Sequence, residues 1–131
     1  MALIVENLHL YNMVLVLATS TITGIWGLVL YFKKRETIDR PWKIALIVTA
    51  AVALLQGLLG ITLVLLGLRP PGGDLYYLHY VYGAIVALAI PVAYTYTSKN
   101  VRTAILIFSI AALVMAAAGA RGMMTGLGIG S

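Results

Sequence analysis

"IALIVTAAVALLQGLLGITLVLLGL", residues 44–68, decides the fold of this chain. The stretch is 25 residues long, carries no charge, and holds one amide, Gln56, near its middle. A helix crosses the hydrocarbon of a bilayer in about 20 apolar residues, so this run is long enough to span one. It breaks at "RPPGGD", residues 69–74, where two prolines and two glycines stop the helix and turn the chain. Outward from there, runs of comparable length cover about 8–32, 75–97 and 101–120, with the central one extending over 43–68. The chain of 131 residues is one domain in size, 62% hydrophobic and only 10% charged, against about 25% charged in soluble domains. The expectation is an all-α integral membrane protein, a single four-span domain. Its loops are short enough to make neighbouring spans antiparallel, giving an up-down-up-down four-helix bundle.

The charges orient that bundle. Lys33, Lys34, Arg35, Arg40 and Lys43 crowd the first loop, and Lys99 and Arg102 flank the third. The other side has only Arg69 and Arg121. Basic loops stay cytoplasmic, so loops 33–43 and 98–102 are expected inside and both termini outside, as in a prokaryotic cytoplasmic membrane. The net charge of +5 therefore speaks for orientation and anionic lipid. It forms no stripe and accompanies no soluble module, so nucleic acid is not an expected partner. With no cysteine in the chain, disulfides, thiolate metal sites and thiol catalysis are excluded. The start, "MALIVENLHLYN", has no basic n-region and no cleavage pattern, so the first run reads as a retained span.

Local signals set the expected ends. Asn7 is placed as cap of the first helix, Asp39 of the second with Pro41 in its first turn, Asp74 of the third and Asn100 of the fourth. Trp42, Tyr94 and Tyr96 are expected at the inner headgroup level, and Tyr76, Tyr77 and Tyr80 at the outer one. Pro91 should kink the third span, "TSKN" should turn tightly, and the tail "TGLGIGS" should be loose or docked on a partner. Lipid gives helices no hydrophobic reason to associate, so small residues should face inward. Those are Ser20, Thr23, Gly24 and Gly27, then Thr49, Gln56, Gly60 and Gly67, then Ser109, Ala112, Ala116 and Gly119. No internal repeat between the two helix pairs is evident.

His9 and His79 are the only histidines. Each lies near the outer start of a span, the first and the third, which are diagonal in such a bundle. Two imidazoles at one depth on diagonal helices suit a planar metal macrocycle gripped on both faces. Gly83, one turn below His79, would let a flat ring lie against the helix. Arg69 and Arg121, at the same end, suit carboxylate propionates. Each residue also has a plainer reading. Either histidine serves equally as an interfacial polar group, the arginines as snorkelling span ends, and Arg69 as a partner for Asp74. Gly83 then becomes a packing notch and Gln56 an interhelical hydrogen bond. Glu6, three residues before His9, would orient its imidazole or stay solvated. No acid lies mid-span, which disfavours a proton-coupled transporter, and no nucleophile–base pair or phosphate loop supports hydrolysis.

The stretch "LLQGLLGITLVLLGLRPPGGDLYYLHYVYGAIVALAI", residues 54–90, resembles the middle of one half of the heme A synthase family. The Gln-x-x-x-Gly of that family falls on Gln56 and Gly60, and its helix-opening histidine on His79. Its earlier histidine, some sixty to seventy residues upstream, falls on His9. The resemblance implies the bundle and a heme b held by His9 and His79. The chain is one half where the family fuses two, Leu10 stands where an arginine commonly follows the first histidine, and Glu6 only loosely echoes the catalytic glutamate. Conversion of heme O to heme A is therefore not carried over. The expected function is electron transfer by a heme b subunit within a larger respiratory or photosynthetic complex, without independent catalysis. The alternatives are a heme-free accessory subunit of such a complex and a homodimer of halves.

Overall fold

The computed structural model describes residues 1–97 and 99–129. It contains α1 (Ala2–Phe32), α2 (Arg40–Leu65), α3 (Tyr77–Thr95) and α4 (Val101–Gly126), with one 3₁₀ turn, Gly73–Leu75, ahead of α3. All four helices are long and apolar enough to cross a membrane. Asn100 caps α4 as expected, its Oδ1 accepting the Thr103 N–H at 3.1 Å. Asp39 stands before α2 with Pro in the first turn, but makes no side-chain cap. Two other expected caps are corrected. α1 already begins at Ala2, leaving Asn7 inside the helix, and Asp74 belongs to the 3₁₀ turn. Pro91 sits within α3, which is assigned as one helix from Tyr77 to Thr95. The expected turn "TSKN" includes Ser98, which lies outside the described residues.

Three helices close with the same backbone device. After α2 the Leu68 N–H reaches Leu63 O at 3.0 Å and the Gly67 N–H reaches Val64 O at 2.9 Å, with Gly67 at φ 80. Lys34 (φ 56) closes α1 and Gly128 (φ 78) closes α4 through the same paired bonds. This left-handed closure satisfies carbonyls that a helix end otherwise leaves bare. Gly67 is therefore an exposed stop signal beyond α2, not a packing residue as its spacing suggested. The tail reading also changes. Thr125 and Gly126 are helical, and Thr125 is fully buried.

The helices form a ring in chain order. α1 packs on α2 and α4, α3 packs on α4 and more thinly on α2, and α1 and α3 face each other diagonally. Small residues line the contacts as expected. Ser20, Thr23, Gly24 and Gly27 are buried on α1, Thr49 and Gln56 on α2, and Ser109, Ala112 and Gly119 on α4. Ala116 and Gly60 are half-buried. Large apolar side chains such as Ile22, Ile25, Leu58, Ile61, Leu88 and Val92 point outward, which suits a bundle surrounded by hydrocarbon.

Trp42 departs most from the sequence reading. It is completely buried rather than at a headgroup surface, and its Nε1 donates to Thr23 O at 3.0 Å. Thr49 gives its own hydrogen to Ala45 O at 2.7 Å, so Thr23 is the donor in the 3.0 Å contact between the two hydroxyls. Gly27 makes the room. A Cβ there would lie 2.9 Å from Trp42 Cζ2 and would collide with Ser109 Oγ. At the same end Arg102 lies 4.7 Å over the Tyr31 ring, tying α4 to α1. Gly27→Ala is expected to destabilise the bundle by about 1–3 kcal/mol through overpacking. Thermal unfolding in detergent followed by Trp fluorescence reads this directly. Gly83→Ala is the control, since a Cβ at Gly83 meets nothing within 4 Å; it should leave the midpoint unchanged or raise it.

Candidate functional site

The two histidines meet. His9 from α1 and His79 from α3 approach across the diagonal with ring centroids 6.0 Å apart and planes at 65°. Each ring leans on a glycine of the next helix in the chain. A Cβ at Gly60 of α2 would lie 3.4 Å from His9 Cε1, and one at Gly126 of α4 would lie 3.0 Å from His79 Cε1. Each ring also hydrogen-bonds to a residue four positions before that glycine, His9 as acceptor and His79 as donor. His9 Nε2 lies 3.3 Å from Gln56 Nε2, and His79 Nδ1 lies 2.9 Å from Gly122 O. The pair Gln56–Gly60 on α2 is thus matched by Gly122–Gly126 on α4. The site has an approximate two-fold arrangement, each histidine resting on its partner helix, that the sequence had not revealed. One polar role is filled by a side-chain amide and the other by a backbone carbonyl, so comparing residue letters cannot find it.

The hydrogen bonds determine where the ring protons sit. Val52 O can only accept, so Asn12 presents its NH₂ there, at 2.8 Å. The same NH₂ reaches Gln56 at 3.0 Å, which must therefore present Oε1 to it. The amide N–H of Gln56 is left to face His9 Nε2, and also Met13 Sδ at 3.6 Å. An N–H donor needs a lone pair opposite, so His9 Nε2 is unprotonated and Nδ1 carries the hydrogen. That Nδ1 is buried and has no hydrogen-bond partner among the described residues. For His79, Gly122 O can only accept, so the hydrogen is again on Nδ1, shared with Thr125 Oγ1 at 3.2 Å. The Thr125 hydroxyl donates to the same carbonyl at 3.0 Å. His79 Nε2 keeps a free lone pair, and a carbonyl bound to the opposite nitrogen is the usual second contact of a metal-binding imidazole.

The remaining expected residues lie around this pair without touching it. Arg69 is exposed, with its guanidinium 5.3 Å over the Tyr76 ring. It forms no ion pair with Asp74 among the described residues; the ion pair found there joins Arg35 to Asp39 at 3.9 Å. Arg69, Tyr76 and Tyr80 line a cleft of about 330 Å³ between α2 and the start of α3. Tyr80 stacks edgewise on His79 at 6.3 Å, so the cleft adjoins the histidines. Arg121 lies 5.7 Å over Tyr82 and sends Nη1 toward Met124 Sδ at 3.8 Å. Gly83 faces open space rather than a neighbouring helix. Glu6 is exposed, and the side chain hydrogen-bonded to His9 is Gln56, at Nε2 rather than at the ring N–H for which Glu6 is the candidate.

Asn12, Gly122, Thr125 and Gly126 were missed by the sequence reading. Asn12 had a signal, as a polar residue one helical turn from His9 inside an apolar run. Gly122 acts through its carbonyl and has none. Comparison with family models, with curated proteins and with solved structures finds no match, and nothing there links the chain to the heme A synthases. Nitrogen-15 NMR of the imidazoles should find both rings protonated at Nδ1. Gln56→Leu should release His9, and only His9, toward the Nε2–H form that free imidazole prefers.

Proposed function

We propose that this chain is an integral membrane protein that binds one heme b between His9 and His79, near the outer face. In this reading it carries electrons for partner subunits of a respiratory or photosynthetic complex. The observation that carries the reading is the 6.0 Å between the imidazole centroids. Two metal–nitrogen bonds of about 2 Å each, added to the two ring radii, give a separation of about this size when each ring turns one nitrogen to the metal. The donor set agrees. No group of three or more His, Cys, Asp or Glu side chains occurs among the described residues, so the two imidazoles are the metal ligands of these types that the pair itself offers, and a macrocycle would supply the rest. His79 offers a free Nε2 with Nδ1 anchored on α4, and Gly60 and Gly126 keep side chains away from both rings.

His9 and His79 would hold the iron. Arg69, in its open cleft, and Arg121 would take the propionates, and Gly83 would leave a flat ring room along α3. Held by these two imidazoles, the group would supply one-electron transfer. What the chain's own residues do is hold two neutral imidazoles in place and exclude water behind them with Asn12, Met13 and Gln56, all buried. The excess of basic residues in loops 33–43 and 98–102 supports placing that end in the cytoplasm. The histidines then face outward, toward a donor or acceptor on that side.

A reduced-minus-oxidised optical spectrum of the purified protein should show a b-type α-band that His9→Ala and His79→Ala each weaken or abolish. No band in the intact native complex would overturn the reading and leave a heme-free accessory subunit.

A further inference from the structure

The two histidines are not equivalent. Ligation by His79 breaks nothing, because Nε2 is free and the bonds from Nδ1 to Gly122 O and Thr125 Oγ1 persist. Ligation by His9 breaks its bond to Gln56 whichever nitrogen is used. Through Nε2, the lone pair that accepts the Gln56 N–H is the one the metal needs. Through Nδ1, the proton moves to Nε2 and confronts the Gln56 N–H. Gln56 cannot turn over to receive it, because its Oε1 is held by Asn12, which is itself held by Val52 O. His9 therefore gains a hydrogen bond by leaving a metal, whereas His79, whose bonds from Nδ1 persist either way, gains none.

Resting on the heme reading, we infer that His79 is the permanent axial ligand and His9 an exchangeable one. The site then takes a small neutral diatomic ligand on the His9 side. With heme bound and reduced, the exchange would break the bond from His9 to iron and form one from iron to the diatomic. The imidazole lone pair returns to the Gln56 N–H, with no net transfer of electrons or protons. Gln56 acts as a positioning residue: it touches neither the iron nor the ligand and sets how readily His9 leaves. One neutral hydrogen bond corresponds to roughly a five-fold change in that equilibrium.

The test uses the purified heme-loaded protein, reduced with dithionite and titrated with carbon monoxide. The expected result is a shifted Soret band at saturation, with uptake limited by departure of His9. Affinity should fall about five-fold in Gln56→Leu, which removes the hydrogen bond His9 gains on leaving, and rise in His9→Ala, which removes the competitor. If heme is bound but the reduced wild-type spectrum is unmoved by saturating carbon monoxide, the exchange is overturned while the heme reading stands. An unchanged affinity in a folded, heme-loaded Gln56→Leu also overturns it. Should that variant fail to load heme, carbon monoxide uptake by the wild type alone decides. Absence of any heme band overturns both readings.

Discussion

Among the described residues most buried polar side chains find a partner inside the bundle, His9 Nδ1 and Arg102 Nε excepted, and the bonds that cross between helices help hold α1 to α2. For helices long and apolar enough to cross a membrane, surrounding hydrocarbon would offer no net gain on association, and close packing and interhelical hydrogen bonds would have to supply it. Between α1 and α2 the bonds form two layers. At one end Trp42 donates to Thr23 O and Thr23 to Thr49. At the other, Asn12 bridges Val52 O and Gln56, and Gln56 reaches His9. The glycines are placed where these layers need room, Gly27 beneath Trp42 and Gly60 beneath His9.

The second layer is also where the candidate chemistry sits. A helix bundle brings the starts of its first and third helices to one end, and here each start carries a histidine. Their approach to 6.0 Å depends on two glycines on the intervening helices. The same packing makes the two rings unlike. A side-chain amide beside His9 competes for its lone pair, whereas a backbone carbonyl beside His79 only orients it. The matched glycine contacts of the two histidines thus frame an asymmetric site, and the difference between Gln56 and Gly122 creates that asymmetry.

Several residues show how far sequence patterns reach. Thr23, Gly24 and Gly27 were legible as an inward face because small residues recur there at helical spacing. Asn100 was legible as a cap because capping is local. Trp42 was misread because tryptophan beside a basic loop resembles an interfacial anchor, and the notch that buries it lies on another helix. Gly67 was misread because its spacing continues a packing face, while its positive φ belongs to the helix stop. Thr125 was placed in a loose tail because glycine-rich sequence gives no sign of a histidine waiting on α3.

By itself the sequence determined four apolar helices, their order, their short antiparallel connections, and two histidines at one end. Those properties follow from hydrophobic run length, charge placement and local capping, all of which are written along the chain. Only the tertiary structure decided that the imidazoles meet, which nitrogen carries each proton, and that Asn12, Gln56, Gly122 and Gly126 surround them. Those properties depend on the rotation of each helix about its axis. Spans that are apolar on every side leave that rotation unspecified until glycine notches and hydrogen-bond partners from different helices come into contact.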